Sequence, residues 1–479
     1  MTDPSFAKPR LSLLTPEQIA QIHDYALLIL ETTGVRVDSP SLREQMVREY
    51  GAHPTDGEVL HLPRQIVEWA LKAAPATIDL YDRQGNPAFR LGEGRPRFGV
   101  GVTTLYYQDP LTDDLAPFGR KHMQAMVQLG HRLPNYDVIS TVGIEQDVPA
   151  PLSDLHATLD MVANTTKPLV ILISEDRSFP AVLDLLEHLH GDLGAKPFVI
   201  PYFNPVTPLV MNSGTLDKLQ TAIQRGLPVI LSNYSMAGMS TPITPAGTLA
   251  TLVAELLAGL AISQIIKPGT PVILGILPAY FDMKTMVNFY DPQSMLLNLA
   301  CIEMMRHYNL PHCGTSGSGT GWGPDLLAAE TYWMNHLITC LAGGGLAPFI
   351  GDTLNSKAFS PVTVVYAHEI ISQALHIANG FSLDEASAAL EEISQIGPGG
   401  SFLGARSTLS RYRNAYYSSP VFTRYSLEKW QVLGQPSAEC VLREYTCRLL
   451  EELTPPGDQA VLLARGEAFI RHLPDRQET

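Results

Sequence analysis

Eight short runs of Val, Ile, Leu and small residues recur along the chain, each leading into a turn rich in Gly, Pro, Asn or Ser and then into a helical pattern. They are RFGVGV (97–102), DVISTVG (137–143), PLVILIS (168–174), PFVIPYF (197–203), PVILSNY (228–234), PVILGIL (271–277), LPHCGTS (310–316) and LAPFIGD (346–352). Their starts lie about 29 to 43 residues apart, the length of one strand and one returning helix. Continuously apolar strands are covered on both faces, which calls for parallel pairing with crossover helices. Four runs open at Pro168, Pro197, Pro228 and Pro271, where proline stops the preceding helix without removing a donor from mid-sheet. Eight such units predict an α/β fold, a closed (β/α)8 TIM barrel over residues 96–382. A doubly wound open sheet competes, but no GxGxxG or Walker loop follows the early strands.

The flanks, residues 1–95 and 383–479, read as mainly helical extensions, the second packed on the barrel. TPEQIAQIHDYALLILETTG offers Thr15 as a cap, Pro16 in the first turn and Gly34 as the stop. The longest apolar stretch, Leu249 to Ile266, carries Glu255, Ser263 and Gln264 and reads as a buried helix, not a membrane span.

With 479 residues, 45% of them hydrophobic, the chain can bury a large core. A net charge of −15 leaves no electrostatic footprint for nucleic acid or an anionic membrane; it favours cationic small molecules, or serves only solubility. Five scattered cysteines without a CxxC pair suggest neither a disulfide framework nor a zinc ribbon. With no secretory signal at the N-terminus, a reducing, cytoplasmic setting is expected.

A barrel of this kind places its active site at the C-terminal ends of the strands. Those ends are rich in aromatic residues and poor in carboxylates. The expected cage comprises Tyr106, Tyr202, Phe203, Tyr234, Tyr280, Phe281 and Trp322, with one of each adjacent pair turned into packing. Ring faces attract alkylated ammonium at about 0.5 to 2 kcal/mol each; the alternative is that these rings pack loops onto the barrel top. Asn204, Asn233, His312 and Thr315 are candidates to hydrogen-bond a substrate carboxylate, and so is Arg406. Glu330 and Asp352 are candidates to sit near a cationic head, or to cap helices. No lysine ends a strand, which argues against a Schiff-base aldolase. His312 and Cys313 are adjacent, point to opposite faces and cannot share a metal, so none is expected.

The glycine-rich stretch PHCGTSGSGTGWGPDLLAAE, then GGGLAPFIGD, then GPGGSFLGARSTLSRYR, together with LTPEQIAQIHDYALLILETTGVRV near the N-terminus, resembles the trimethylamine methyltransferase family through almost the whole chain. The resemblance implies a barrel enzyme that presents a methylated amine, such as glycine betaine, to the Co(I) of a corrinoid carried by a partner protein, so that this chain binds no cofactor itself. No pyrrolysine is written here, which implies the branch acting on quaternary amines. Two positions where the family pattern has an acidic and a basic residue are Thr320 and Trp322; its glutamine is Leu327 and its C-terminal histidine is Ser407. A binding protein without turnover and a barrel lyase acting on small amines are the other readings. Self-association is expected.

Overall fold

The computed structural model describes residues 5–55, 57–316, 319 and 321–473. Its centre is built from β1 (Arg97–Val100), β2 (Val138–Ser140), β3 (Leu169–Ile171), β4 (Val199–Phe203), β5 (Val229–Ala237), β6 (Val272–Asp282), β7 (His312–Gly314) and β8 (Leu346–Ile350). Each pairs in parallel with the next, and β8 pairs back onto β1, so the sheet closes. The β8–β1 ladder rules out the open doubly wound sheet. All eight strands fall within the eight apolar runs or extend them. Eight helices follow them in alternation: α1 (Arg120–Arg132), α2 (Ser153–Asn164), α3 (Phe179–His190), α4 (Ser213–Gln224), α5 (Pro245–Ile266), α6 (Pro292–His307), α7 (Leu326–Ala342) and α8 (Pro361–Asn379).

Strand pleating divides the core into two layers. Outward residues such as Ile139, Leu169, Val199, Phe203, Val229, Leu231 and Leu274 meet the helices in one large cluster. Inward residues Val138, Val170, Ile200, Tyr202, Ile230, Ile273, Cys313 and Leu346 form a second cluster inside the barrel. Its lower end is closed by the antiparallel hairpin Ile78–Tyr81 and Pro87–Leu91, which contributes Ile78, Leu80 and Leu91. The Tyr81 amide donates to the Pro197 carbonyl just below β4, fixing that plug to the wall.

The N-terminal helix Pro16–Thr32 begins as its sequence predicts. The Thr15 hydroxyl accepts from the Gln18 amide, the Gln18 side chain accepts from the Thr15 amide, and Gly34 ends the segment at φ +79°. This helix packs along α5, which explains an apolar surface all round: Thr248 to Ile265 is buried continuously between the strands and the added helices. Among the described residues α5 is the one helix long and apolar enough to cross a membrane, and it is a wall of the barrel.

At the other end of the chain, Ala438–Glu451 and Gln459–Arg471 dock on the barrel wall through Leu442, Leu449, Leu462 and Ile470. An ion cluster helps hold them: Arg120 bridges Asp160 at 2.8 Å and Glu467 at 2.6 Å. The four short helices between Glu385 and Val432 bury no residue.

Two local features set the stability of this frame. Gly275 of β6 lies so close to β7 that a Cβ there would stand 1.4 Å from the Cys313 carbonyl oxygen. Gly275→Ala is therefore expected to yield no folded protein on expression, and recovery of a variant with unchanged melting temperature would contradict this packing.

Glu255 lies buried in α5, where its carboxylate accepts from the Leu209 amide at 2.7 Å and the Thr207 hydroxyl at 2.9 Å, tying down the loop after β4. Burial raises its pKa from 4.5 to about 7 against those hydrogen bonds. The unfolded chain loses this proton at lower pH than the folded chain does. Stability is therefore full below the ordinary value and falls by about 3 kcal/mol as pH rises to the raised one. Glu255→Gln, which keeps the shape but not the proton, should flatten the decline in melting temperature between about pH 5 and about pH 8. Parallel melting curves for the two proteins across that range would show that Glu255 is not the titrating group.

Candidate functional site

At the C-terminal mouth, the inward face of β4 ends in Tyr202. Its ring meets Phe349 of β8 edge-on, with centroids 5.0 Å apart. The Tyr202 and Ser232 hydroxyls lie side by side in the lumen. One pleat step above Ser232 stands Tyr234, half-buried on the same face of β5. Alternation along β6 puts Phe281 on the lumen side as well.

Tyr290 completes this group from the turn between β6 and α6. Burial holds its hydroxyl well above the ordinary phenol range, reinforced by Tyr234, Asp352 and Tyr202 nearby. It is thus a neutral phenol beside other phenols. Asp352, fully buried just past β8, accepts from the Ser356 hydroxyl at 2.6 Å, and its carbonyl accepts from Tyr332 at 3.0 Å.

A cavity of about 460 Å³ opens here, between α6, α7 and the loops after β7 and β8. Its walls include Tyr290, Asp291, Met295, Thr315, Trp322, Glu330, Asn335 and Asn355. Among the described residues, none that lines it is Lys, Arg or His. The glycines of the β7 loop have a steric reason. Gly321 sits at φ +83°, and a Cβ there would meet Asp325 Oδ1 at 2.7 Å and the Ala328 Cβ at 2.8 Å.

This loop is held from several sides. The Thr353 hydroxyl and Leu354 amide donate to the Gly321 carbonyl, Asn355 donates to Gly319, and Gln108 donates to the Trp322 carbonyl at 2.9 Å. Asn298 of α6 grips the Thr315 backbone through both its amide atoms, and Ser316 hydrogen-bonds His336 Nδ1 at 2.7 Å. Burial drives the His336 pKa down to about 3, so it is a neutral hydrogen-bonding partner.

The residues expected from sequence separate into two sets. Tyr202, Tyr234 and Phe281 face the lumen, Trp322, Thr315 and Glu330 line the cavity, and Asp352 lies beside Tyr290. Asn204 stands at the mouth, where its side-chain oxygen accepts from the Tyr234 amide at 3.1 Å. The others point elsewhere. Phe203 faces outward against Phe179, and Asn233 donates to the Leu252 carbonyl of α5. Tyr280 packs with the outer layer near Phe289.

His312 is also on the outer face, since Gly314, two residues on, faces Asn298 and His312 itself. Buried there, its imidazole has a pKa lowered to about 3. Tyr106 belongs to a small sheet outside the barrel, where Tyr106–Gln108 pairs with Leu115–Pro117 and Ala358–Phe359. Arg406 is exposed on the six-residue helix Arg406–Arg411, next to Glu392. Thr320 lies outside the described residues.

Sequence reasoning missed Tyr290, Phe349 and Asn335. It examined strand ends, whereas Phe349 lies within a strand, Asn335 lies on a helix and Tyr290 follows a hairpin. The one local signal was the Asp291-Pro292 helix start, which fixes Tyr290 at the mouth of the barrel.

Known proteins give a consistent picture. The chain is 26% identical over 474 residues to a glycine betaine methyltransferase of Desulfitobacterium hafniense, covering 96% of this chain and 97% of the relative. It is likewise 26% identical over 449 residues to the trimethylamine methyltransferase MttB of Methanosarcina barkeri, covering 91% and 89%. The crystal structure of the monomethylamine methyltransferase MtmB of Methanosarcina barkeri shares the fold, with a TM-score of 0.54 at 10% identity over 93% of this chain and 89% of that one. The family described as trimethylamine methyltransferase (MTTB) matches residues 3–471, and this chain belongs to it.

Proposed function

We propose that this protein transfers an N-methyl group from a quaternary or tertiary methylated amine, with betaine-like compounds among the candidates, to the Co(I) of a corrinoid carried by a partner protein. The observation that carries the reading is the cluster of Tyr202, Tyr234 and Tyr290 with Asp352 at the mouth, beside a cavity lined by no cationic residue. Ring faces and a nearby carboxylate stabilise an alkylated ammonium, and the phenols neither take nor give a proton at neutral pH.

That chemistry suits methyl removal from a quaternary nitrogen. The electron pair of the broken C–N bond stays on nitrogen, so the amine leaves neutral and needs no general acid. The corrinoid supplies the nucleophile. What remains for this chain is to seat the cation, aim one methyl outward and keep water from the rings.

The rim around the mouth fits a protein-borne acceptor. Val206, Met239, Ile243, Met283, Met286 and Trp322, on the loops after β4, β5, β6 and β7, and Leu326 at the start of α7 are all exposed. Exposed apolar side chains gathered at one end of a protein mark a docking surface.

With a candidate methylated amine and a reduced corrinoid protein present, the loss of Co(I) absorbance should depend on all three components, with the demethylated amine appearing in equal amount by mass spectrometry. Release of demethylated amine without corrinoid protein would contradict the reading, as would amine binding with no Co(I) loss.

Removing one ring tests the cage. Tyr234→Leu should weaken amine binding by about 2- to 30-fold in calorimetry, with Tyr234→Phe closer to wild type. Phe203→Leu and Asn233→Ala, on the outer face, should lower the melting temperature and leave the dissociation constant unchanged. An equal loss of affinity in the outer-face variants would place the amine elsewhere.

A further inference from the structure

We infer that the compound held in the cavity is an ammonium cation carrying no carboxylate of its own; this rests on the proposed methylated-amine site and narrows it. The ionisable groups lining the cavity are Tyr290, Asp291 and Glu330, so its fixed charge is negative. The Glu330 carboxylate has no hydrogen-bond or ion-pair partner among the described residues. The undescribed neighbours in the β7 loop are Gly317, Ser318 and Thr320, whose side chains bring no charge.

A substrate carboxylate needs donors, and the two obvious sources are already taken. The N-terminus of α6 is closed by Asp291, which accepts from the Ser294 amide at 2.9 Å. The N-terminus of α7 is closed by Asp325, which accepts from the Ala328 amide at 2.9 Å and the Trp322 amide at 2.8 Å. Helix N-termini bind anions when their amides are free; here each presents a carboxylate instead. Arg443, whose partner Asp113 lies near Gly323, is bound to Asp113 and Glu439. Asn335, 2% exposed in the cavity wall, leaves its amide oxygen unpaired and carries no charge, so it can offer a carboxylate at most a neutral amide donor. A zwitterion would bring its anion into a negative cavity that offers only neutral donors and no cationic partner among the described residues, whereas a simple onium cation meets rings and carboxylates.

Calorimetric titration of the full chain with choline, tetramethylammonium, glycine betaine and the uncharged analogue 3,3-dimethyl-1-butanol tests this. Choline and tetramethylammonium should bind at least about tenfold more tightly than glycine betaine, and the uncharged analogue more weakly than either cation. Glu330→Gln, on an exposed helical position, should narrow the gap between choline and glycine betaine while leaving the melting temperature unchanged. Glycine betaine binding as tightly as choline would overturn this inference and leave the methylated-amine reading standing. The uncharged analogue binding as tightly as the cations would overturn both.

Discussion

Closure of eight parallel strands is the constraint from which the rest follows. Once β8 pairs with β1, every strand residue belongs either to the lumen or to the helix layer. The lower lumen is filled by aliphatic side chains and the hairpin plug. Space for a ligand therefore remains at the upper end, where Tyr202 and Tyr234 stand on the inward face and the β7 loop, α6 and α7 wall a cavity. Gly275 illustrates how tight the closure is: β6 and β7 approach until no side chain fits between them.

The barrel was legible because its strands are apolar on both faces and recur at one helix-plus-strand spacing. The site was legible only by region. A list of strand-end aromatics cannot say which way each points, and pleating separates Tyr202 from Phe203 and Tyr234 from Asn233. His312 shows the same limit: it opens β7 in a glycine-rich run, yet it packs outward as a neutral core histidine. Tyr290 was invisible for another reason. It lies in a connection, and its position depends on the turn of β6 back through Val287–Phe289 and on the Asp291 cap. What α5 buries all round became clear only with the Pro16–Thr32 helix lying against it.

The site's character lies as much in what it lacks as in what it holds. Its phenols are neutral; His336, behind the β7 loop, is an uncharged hydrogen-bonding group, and His312 packs uncharged in the outer layer. The acidic residues lining it are Asp291 and Glu330, and each helix start facing the cavity is sealed by its own aspartate. Such a pocket selects by charge sign and shape, and leaves the reactive electrons to be supplied from outside. The exposed apolar rim fits the proposed division of labour, in which the group receiving the methyl approaches from solvent on another protein.

The seat of the cation is the central claim, and locating it directly is the decisive measurement. Crystals soaked with (2-bromoethyl)trimethylammonium and measured at the bromine edge would fix the ligand by anomalous scattering. The trimethylammonium head is expected within about 6 Å of the Tyr234 and Tyr290 ring centroids. A head group bound outside the barrel mouth, with those rings unoccupied, would contradict the assignment.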